Sequence, residues 1–194
     1  MFVITPCAAG CGKPAISGSA LCVSHLANPL EDKKRITNQI SSLNIFRDLN
    51  AQSLDFADKD FSGRHFNECC FNGAVFSGCN FNESQMRIVF FDFAVFTSCT
   101  FSKVDFRFIS FAGAVFEKCS FNNSELLDIN FTGSNITESV FDSNNLYNSR
   151  FIEAVISKTS FTDCNLKRVN FLKSHKTGVE YKTSNTAEAI SFEV

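Results

Sequence analysis

Three cysteines and one histidine near the N-terminus have the residue types and the spacing of a metal site. Cys7, Cys11, Cys22 and His25 form the pattern Cys-x3-Cys-x10-Cys-x2-His, and glycines between them allow tight turns. Three thiolates and an imidazole suit tetrahedral Zn²⁺, which binds sulfur and nitrogen ligands at about 2.0 to 2.3 Å. The pattern therefore predicts a zinc-binding knuckle over residues 1–28.

The number of ligands indicates a structural role for this metal. Four protein ligands fill a tetrahedral coordination sphere, whereas a catalytic zinc keeps one position open for water or substrate. Two other interpretations remain open. The cysteines could lie unliganded in a flexible leader, or Cys7 and Cys11 could form a redox pair, although the usual redox motif has two intervening residues rather than three.

A short helix is expected directly after this cluster. Asn28 is a favourable N-cap, Pro29 suits the first turn, and Glu31 lies three residues after the cap. The pattern predicts a helix from Pro29 to about Leu43 with an apolar face. We interpret residues 29–45 as a capping helix that covers one end of the next structural unit.

That unit is marked by a bulky apolar residue at every fifth position from Phe46 to Phe171, except at Ala51. Phe occupies 19 of the 26 positions in this register, out of 24 Phe in the chain. A helix would repeat apolar residues at three and four positions and a half-buried strand at two. A period of five fits neither, and a fixed repeat of this kind indicates a solenoid.

Residues of similar size also recur every twenty positions within this stretch. A small or compact residue usually precedes each bulky one by two positions, so two residues of each five are predicted to point inward. Four units of five would complete one coil, and about six coils are expected from residue 56 to residue 171. The clearest ladders are Cys79, Cys99 and Cys119; Val89, Ile109 and Ile129; and Ala74, Ala94 and Ala114.

These repeats resemble the pentapeptide-repeat family, whose units read small, polar, Leu or Phe, polar, polar, as in residues 74–78 and 119–123. The resemblance covers about two thirds of the chain. It implies an all-β solenoid, a right-handed quadrilateral β-helix, which we assign to residues 46–175, with residues 176–194 as a C-terminal tail. The family shares no catalytic residues, so we expect a non-enzymatic binding or scaffold protein that presents a rigid surface to a protein partner.

The charge on the predicted rod bears on the identity of that partner. Some members of the pentapeptide-repeat family, which this sequence resembles, are the quinolone-resistance proteins; these are acidic rods that imitate duplex DNA and bind DNA gyrase. Residues 46–175 contain 12 basic and 15 acidic side chains, so a DNA mimic that protects gyrase is the alternative rather than the leading hypothesis. Direct nucleic-acid binding is not expected, because it requires a concentrated basic surface.

A few apolar residues lie outside the inward register and are candidates for partner binding, since contiguous apolar exposure often marks an interface. One group surrounds two early coils, and the other forms a stripe at twenty-residue spacing. The first group is Ile88, Phe90, Phe93 and Phe108; the second is Val75, Val95 and Val115. The valines also suit ordinary strands, and the C-terminal tail could fold over the first group or form a homodimer contact.

The remaining expectations concern location. The sequence has no apolar run of membrane-spanning length, and its first residues lack a basic region followed by a long apolar segment. We therefore expect a cytoplasmic protein without a membrane partner.

Overall fold

The computed structural model describes residues 5–191 and shows a four-sided parallel β-solenoid of about seven turns. This confirms the predicted fold class. Predictions that concern residues 1–4 and 192–194 lie outside the described residues.

Twelve short strands form two parallel sheets on different faces of the solenoid. The first sheet has the order β1-β3-β5-β7-β9 and the second β12-β11-β10-β8-β6-β4-β2. Their bounds are β1 Ile45–Arg47, β2 Asp55–Ala57, β3 His65–Cys70, β4 Val75–Ser77, β5 Gln85–Phe90, β6 Val95–Thr97, β7 Asp105–Arg107, β8 Val115–Glu117, β9 Glu125–Leu127, β10 Asn135–Thr137, β11 Val155–Ser157 and β12 His175–Thr177. One α-helix, α1 (Pro29–Ser41), and two 3-10 turns, Val23–His25 and Thr186–Glu188, complete the described structure.

Backbone hydrogen bonds connect each coil to its neighbours at an offset of twenty residues. Phe46 pairs with Phe66, and Phe66 with Met86, in parallel register. The N–H of Phe91 donates to the carbonyl of Ser110 at 2.7 Å, and the N–H of Ser110 donates back to Val89 at 3.0 Å. The predicted twenty-residue coil therefore follows from parallel pairing between successive turns.

The fifth-position residues fill the interior and stack along the axis. The rings of Phe101 and Phe121 lie 4.2 Å apart and almost parallel, whereas rings on adjacent faces of one coil meet edge to face, as Phe111 and Phe116 do at 5.2 Å and 75°. Aromatic pairs favour both arrangements. The cysteines at the small inward position, Cys69, Cys79, Cys99, Cys119 and Cys164, are buried beside these rings as free thiols.

A left-handed residue two positions after each inward fifth-position residue turns the chain at the corners. Glycine adopts this conformation without a steric penalty, and Gly113 and Gly133 have φ of 65° and 66°. Most corners nevertheless hold polar side chains, such as Asp128 with φ 58°. The corner positions are therefore conformationally restrictive although their side chains point to solvent.

The N-terminal end of the rod is covered by α1 and by the segment before it. Ile36 and Ile40 of α1 are buried in the same apolar core as the first Phe residues. Arg64 of the rod donates to the carbonyls of Ser41 and Leu43 at the end of the helix. At the start of α1, Asp32 accepts the backbone N–H of Asn28 at 3.2 Å; the side chain of Asn28, the predicted N-cap, makes no capping bond within the described chain.

The coils continue beyond residue 175, so residues 176–191 form a further coil and not the tail that the sequence predicts. β12 pairs with β11, and parallel bridges join Ser160 to Glu180 and Asn170 to Ile190. Tyr181 occupies an inward position and stacks on Phe161 at 5.5 Å. This last coil places polar residues at other inward positions, which explains why the apolar period does not reveal it and why the turns number about seven rather than six.

Among residues 5–191, no helix is long and apolar enough to cross a membrane.

Candidate functional site

The four predicted metal ligands come together in one cluster before the rod. Their ligand atoms all lie within 4.8 Å of one another. Cys7 Sγ is 3.6 Å from His25 Nδ1, Cys22 Sγ is 3.4 Å from the same nitrogen, and Cys11 Sγ is 3.7 Å from Cys22 Sγ. A tetrahedral Zn²⁺ would separate two sulfurs by about 3.8 Å and a sulfur from a nitrogen by about 3.5 Å, given its usual bond lengths. The cluster could therefore hold a metal ion.

Local backbone structure explains how the four residues meet. The N–H of Cys7 donates to Lys13 at 2.9 Å, and the N–H of Gly10 returns to the carbonyl of Cys7 at 2.9 Å, so the first two ligands lie on a tight loop. Cys22 precedes the 3-10 turn Val23–His25, which brings His25 next to it. The Cys-x2-His spacing thus places two ligands on one short turn.

The cluster favours the thiolate form, which a metal requires, at Cys7. The backbone N–H of Cys22 donates to Cys7 Sγ at 3.3 Å. This hydrogen bond is the largest of the contacts that lower the pKa of the Cys7 thiol to about 6. A thiolate is then available at neutral pH, and the thiolate is the form that binds metal ions. At Cys11 the backbone hydrogen bond from Lys13 lowers the pKa, but desolvation and the Cys22 and Cys7 thiols together raise it above its ordinary value.

The residues between the ligands connect the cluster to the first coil. The N–H of Ser17 donates to the carbonyl of Asn50 at 2.7 Å, and the N–H of Asn50 donates to Ser17 Oγ at 2.9 Å. The side-chain amide of Asn50 donates to the carbonyl of Ala15 at 2.6 Å. We call residues 5–28 the N-terminal module, and these three bonds attach it to the edge of the rod.

The first group of outward apolar residues lies on two neighbouring corners of the early coils. Ile88 and Phe108 share one corner, and Phe93 lies at the next. Ile88, Phe93 and Phe108 are 43%, 73% and 60% exposed. All three are corner residues with φ between 55° and 58°, and Phe90 lies half-buried at the end of β5. We call these four residues the apolar corner.

Phe93 is held in place by the coil after it. A Cβ atom added at Gly113 would lie 2.6 Å from the Cδ1 and Cε1 atoms of the Phe93 ring. The ring therefore covers the backbone of Gly113. This contact gives glycine at residue 113 a packing role in addition to its turn conformation.

We expect Gly113→Ala to lower the free energy of unfolding more than Gly133→Ala does. Both replacements force alanine into a left-handed conformation, at about 1 to 2 kcal/mol, but residue 133 has no neighbour within 4 Å of the added Cβ among the described residues. Displacing the Phe93 ring should add about 0.5 to 1.5 kcal/mol at residue 113 alone. Urea unfolding measures the difference, and Phe93→Ser should abolish it. Equal losses with Phe93 present would contradict the contact.

The second group of outward apolar residues, the valine stripe, lies within one of the two sheets. Val75, Val95 and Val115 lie side by side on β4, β6 and β8, and Asn135 continues the ladder on β10. Val75 and Val115 are about two-fifths exposed and Val95 is half-buried. The three valines lie in extended strands, where β-branched residues are favoured, so the sheet explains the composition of the stripe.

Two features of this surface were not identified from the sequence. A groove of about 510 Å³ runs from Phe90 and Phe108 to Arg150 and Arg168. A second groove of about 470 Å³ lies between the N-terminal module and the first coils and also ends at Phe90. The recurrence of residues 108, 128, 148 and 168 at twenty-residue spacing is the signal that could have revealed the first groove.

Comparison with known proteins gives results of three kinds. The profile described as a pentapeptide repeat region matches residues 110–191, and that described as pentapeptide repeats (8 copies) matches residues 45–87. No curated protein is a significant match. Several solved structures are similar to this chain.

Three of those structures illustrate the range of similarity. A trypsin-treated form of QnrB1, a plasmid-mediated fluoroquinolone resistance protein, aligns over 66% of this chain and 79% of its own, with 16% identity and a TM-score of 0.44. HetL, a pentapeptide repeat protein involved in heterocyst differentiation regulation in the cyanobacterium Nostoc sp. strain PCC 7120, aligns over 80% and 94%, with 12% identity and a TM-score of 0.36. A pentapeptide repeat protein from the Arabidopsis thaliana thylakoid lumen aligns over 62% and 65%, with 22% identity and a TM-score of 0.20. The two matching profiles together cover more than half of the sequence, and the chain belongs to the pentapeptide-repeat family.

Proposed function

We propose that this chain is a non-enzymatic binding protein that presents the apolar corner of a rigid rod to a protein partner. The observation that carries the proposal is the combination of exposure and backbone conformation at Ile88, Phe93 and Phe108. Large apolar residues are uncommon at positive φ, and a β-branched residue there is an outlier. Residues kept in unfavourable conformations often serve function rather than folding.

The composition of the other corners supports this interpretation. Among the non-glycine residues at positive φ in residues 5–191, Ile88, Phe93 and Phe108 are the apolar ones; the rest are polar or charged. Asn or Gly would fit these corners with less strain. The rod therefore gains nothing in turn geometry from three large apolar side chains, whereas a partner would gain apolar contact area.

We expect the double variant Ile88→Asn/Phe108→Asn to be more stable than the natural chain and to lose its partner. Relief of left-handed strain should raise the free energy of unfolding by about 0.5 to 1 kcal/mol per site. Urea unfolding measures the stability. Affinity capture with cross-linking from cell extract measures how much partner protein each variant retains.

The matched control for this experiment is Lys118→Asn/Lys158→Asn. These residues are exposed and occupy the same corner conformation, with φ of 54° and 47°, on other parts of the rod. The control should retain the captured protein. If the apolar-corner variant retains the same protein at the same yield, the apolar corner is not the binding surface.

We also propose that the metal of the N-terminal module is Zn²⁺ in a structural role, as the tetrahedral spacing and the Cys3His ligand set support. The ion would be held by Cys7, Cys11, Cys22 and His25. A cytoplasmic location fits this proposal, since a reducing compartment keeps thiols available to a metal instead of oxidising them to disulfides.

DNA gyrase is one identifiable partner to test. The whole chain has a formal net charge of −2, and this near-balance does not favour imitation of DNA. Protection of gyrase supercoiling from a quinolone by the purified protein would support a gyrase-binding role. Failure to associate with gyrase at micromolar protein would remove it.

A further inference from the structure

The geometry points to an extended peptide segment as the part of the protein partner that this rod binds, with a large apolar side chain at one end and a carboxylate about four residues away. The segment would lie in the groove that runs from Phe90 and Phe108 to Arg150 and Arg168, which we call the corner groove. This inference rests on the proposed function and specifies the partner's chemistry.

The corner groove follows the axis of the rod and crosses successive coils. Parallel bridges run without interruption from Phe90 through Ser110, Asn130, Arg150 and Asn170. The backbone N–H and C=O groups of this ladder are used between coils, as shown by the bonds from Phe91 to Ser110 and from Arg150 to Ile129. A bound segment therefore contacts side chains and does not add a strand to a sheet.

The corner groove is apolar at Phe108 and cationic at the two arginines, and the exposed Ile190 lies one coil beyond them. Phe108 is 60% exposed, and Arg150 and Arg168 are exposed as well. Within residues 5–191 neither arginine is within ion-pair distance of a carboxylate; Arg168 instead donates to Tyr147 Oη at 3.3 Å and lies over the Tyr147 ring. Two arginines in one groove are suited to a carboxylate, which they can bind by paired hydrogen bonds.

The middle of the corner groove selects against a second acid. Asp128 lies between Phe108 and the arginines on the corner ladder, and its Oδ1 accepts the side-chain amide of Asn148 at 2.5 Å. A carboxylate of the segment at this level would meet a like charge. Neutral polar residues are therefore expected between the apolar and acidic positions of the segment.

The distance between Phe108 and Arg168 sets the spacing in the segment. These two residues are three coils apart on one ladder, which is about 14 Å at about 4.8 Å per coil. An extended chain advances about 3.3 to 3.6 Å per residue. The apolar and acidic residues of the segment should thus be about four positions apart, in either chain direction.

Fluorescein-labelled synthetic peptides test this inference. Each contains one Phe and one Glu separated by two to eight positions, in either order, with Ser, Gln and Gly at the other positions. Fluorescence polarisation should show the tightest binding at a separation of four, weaker by about tenfold or more at two and eight. Arg150→Gln/Arg168→Gln should weaken the best peptide by about tenfold or more and remove its salt dependence. The matched control Lys118→Gln/Lys158→Gln, with the same charge change elsewhere on the rod, should bind like the natural chain.

Three outcomes would overturn the inference. Affinity that does not depend on the Phe–Glu separation, or that survives the arginine substitutions, contradicts a two-point groove. Tight binding of a labelled duplex DNA through the same arginines, in place of the peptides, identifies a different class of ligand. Binding of peptides only after removal of residues 192–194 assigns the groove to the chain's own terminal segment.

Failure here is distinguishable from failure of the proposed function. If no peptide binds and the Ile88→Asn/Phe108→Asn variant still loses its captured partner, the apolar corner binds a protein in another way and the groove inference is wrong. If peptides bind with the expected spacing but no captured partner depends on the apolar corner, the groove has the inferred chemistry and the proposed function is wrong.

Discussion

Replacing Phe111 with Ala is expected to lower the free energy of unfolding by about 3 to 5 kcal/mol, the usual range for a large side chain lost from a core. Phe111 is fully buried in the middle of the rod. Its ring stacks on Phe91 at 5.1 Å and on Phe131 at 5.3 Å, and meets Phe96 and Phe116 edge to face. The substitution removes these contacts and leaves a cavity that neighbouring coils cannot close, because their backbones are joined by hydrogen bonds at fixed spacing.

Equilibrium urea unfolding measures this loss. Phe108→Ala is the control, because it removes the same side chain from an exposed corner in an adjacent part of the chain, and it should change stability by less than about 1 kcal/mol. Phe111→Leu provides a milder core variant if the alanine protein does not fold. A loss below about 1 kcal/mol for Phe111→Ala would contradict the inward register of the repeat.

Removal of the metal that we propose for the N-terminal module is expected to open the module and leave the rod folded. Structural zinc supplies on the order of 10 kcal/mol of apparent binding free energy in small zinc domains, and a segment as short as residues 5–28 lacks a core large enough to replace it. The purified protein should contain one zinc per chain. Treatment with a chelator, or Cys22→Ser, should accelerate hydrogen exchange at the N–H groups of Ser17 and Cys22 by at least about a hundredfold.

The rod provides both the internal reference and the control variant. Exchange at the N–H of Phe111, which donates to Asn130 at 2.7 Å, should not change. Cys119→Ser should keep its zinc, because Cys119 lies in the rod and serine already replaces cysteine at the equivalent position 124, where Ser124 Oγ donates to the carbonyl of Phe101 at 3.0 Å. Protein that lacks zinc and yet keeps slow exchange at Ser17 after Cys22→Ser would show that the cluster is not a metal site.

The sequence was sufficient to predict which side chains point into the rod, because the inward positions repeat. The large residue of each five, such as Phe76 or Phe96, can be buried in one way when the coil has four faces, so its position follows from counting. The four residues of the Cys3His cluster were also identifiable, since soft ligands at knuckle spacing have few other uses. In both cases one chemical property decides the position of the side chain.

The outward half could not be predicted in the same way, because polar corners accept many residues. The six glycines at positive φ in the rod, among them Gly113 and Gly133, all occupy the corner position, and this distribution is the signal that would have identified Phe108 as a corner residue. The final coil was missed because Lys176 and Thr186 stand where Phe is expected. The corner groove depends on residues that share one corner in successive coils, so their twenty-residue recurrence reveals it only after the corner positions are known.

The four-sided coil also limits how the length of this protein can change. An insertion or deletion of twenty residues keeps every later side chain on its own face, but it changes the number of coils between Phe108 and Arg168 if it falls between them. An insertion of five residues there would preserve the buried core and turn the whole C-terminal part of the rod by one face, so that Phe108 and Arg168 would no longer share a corner. Variation in length outside residues 108–168 is therefore compatible with one binding groove, and variation within that interval produces a different one.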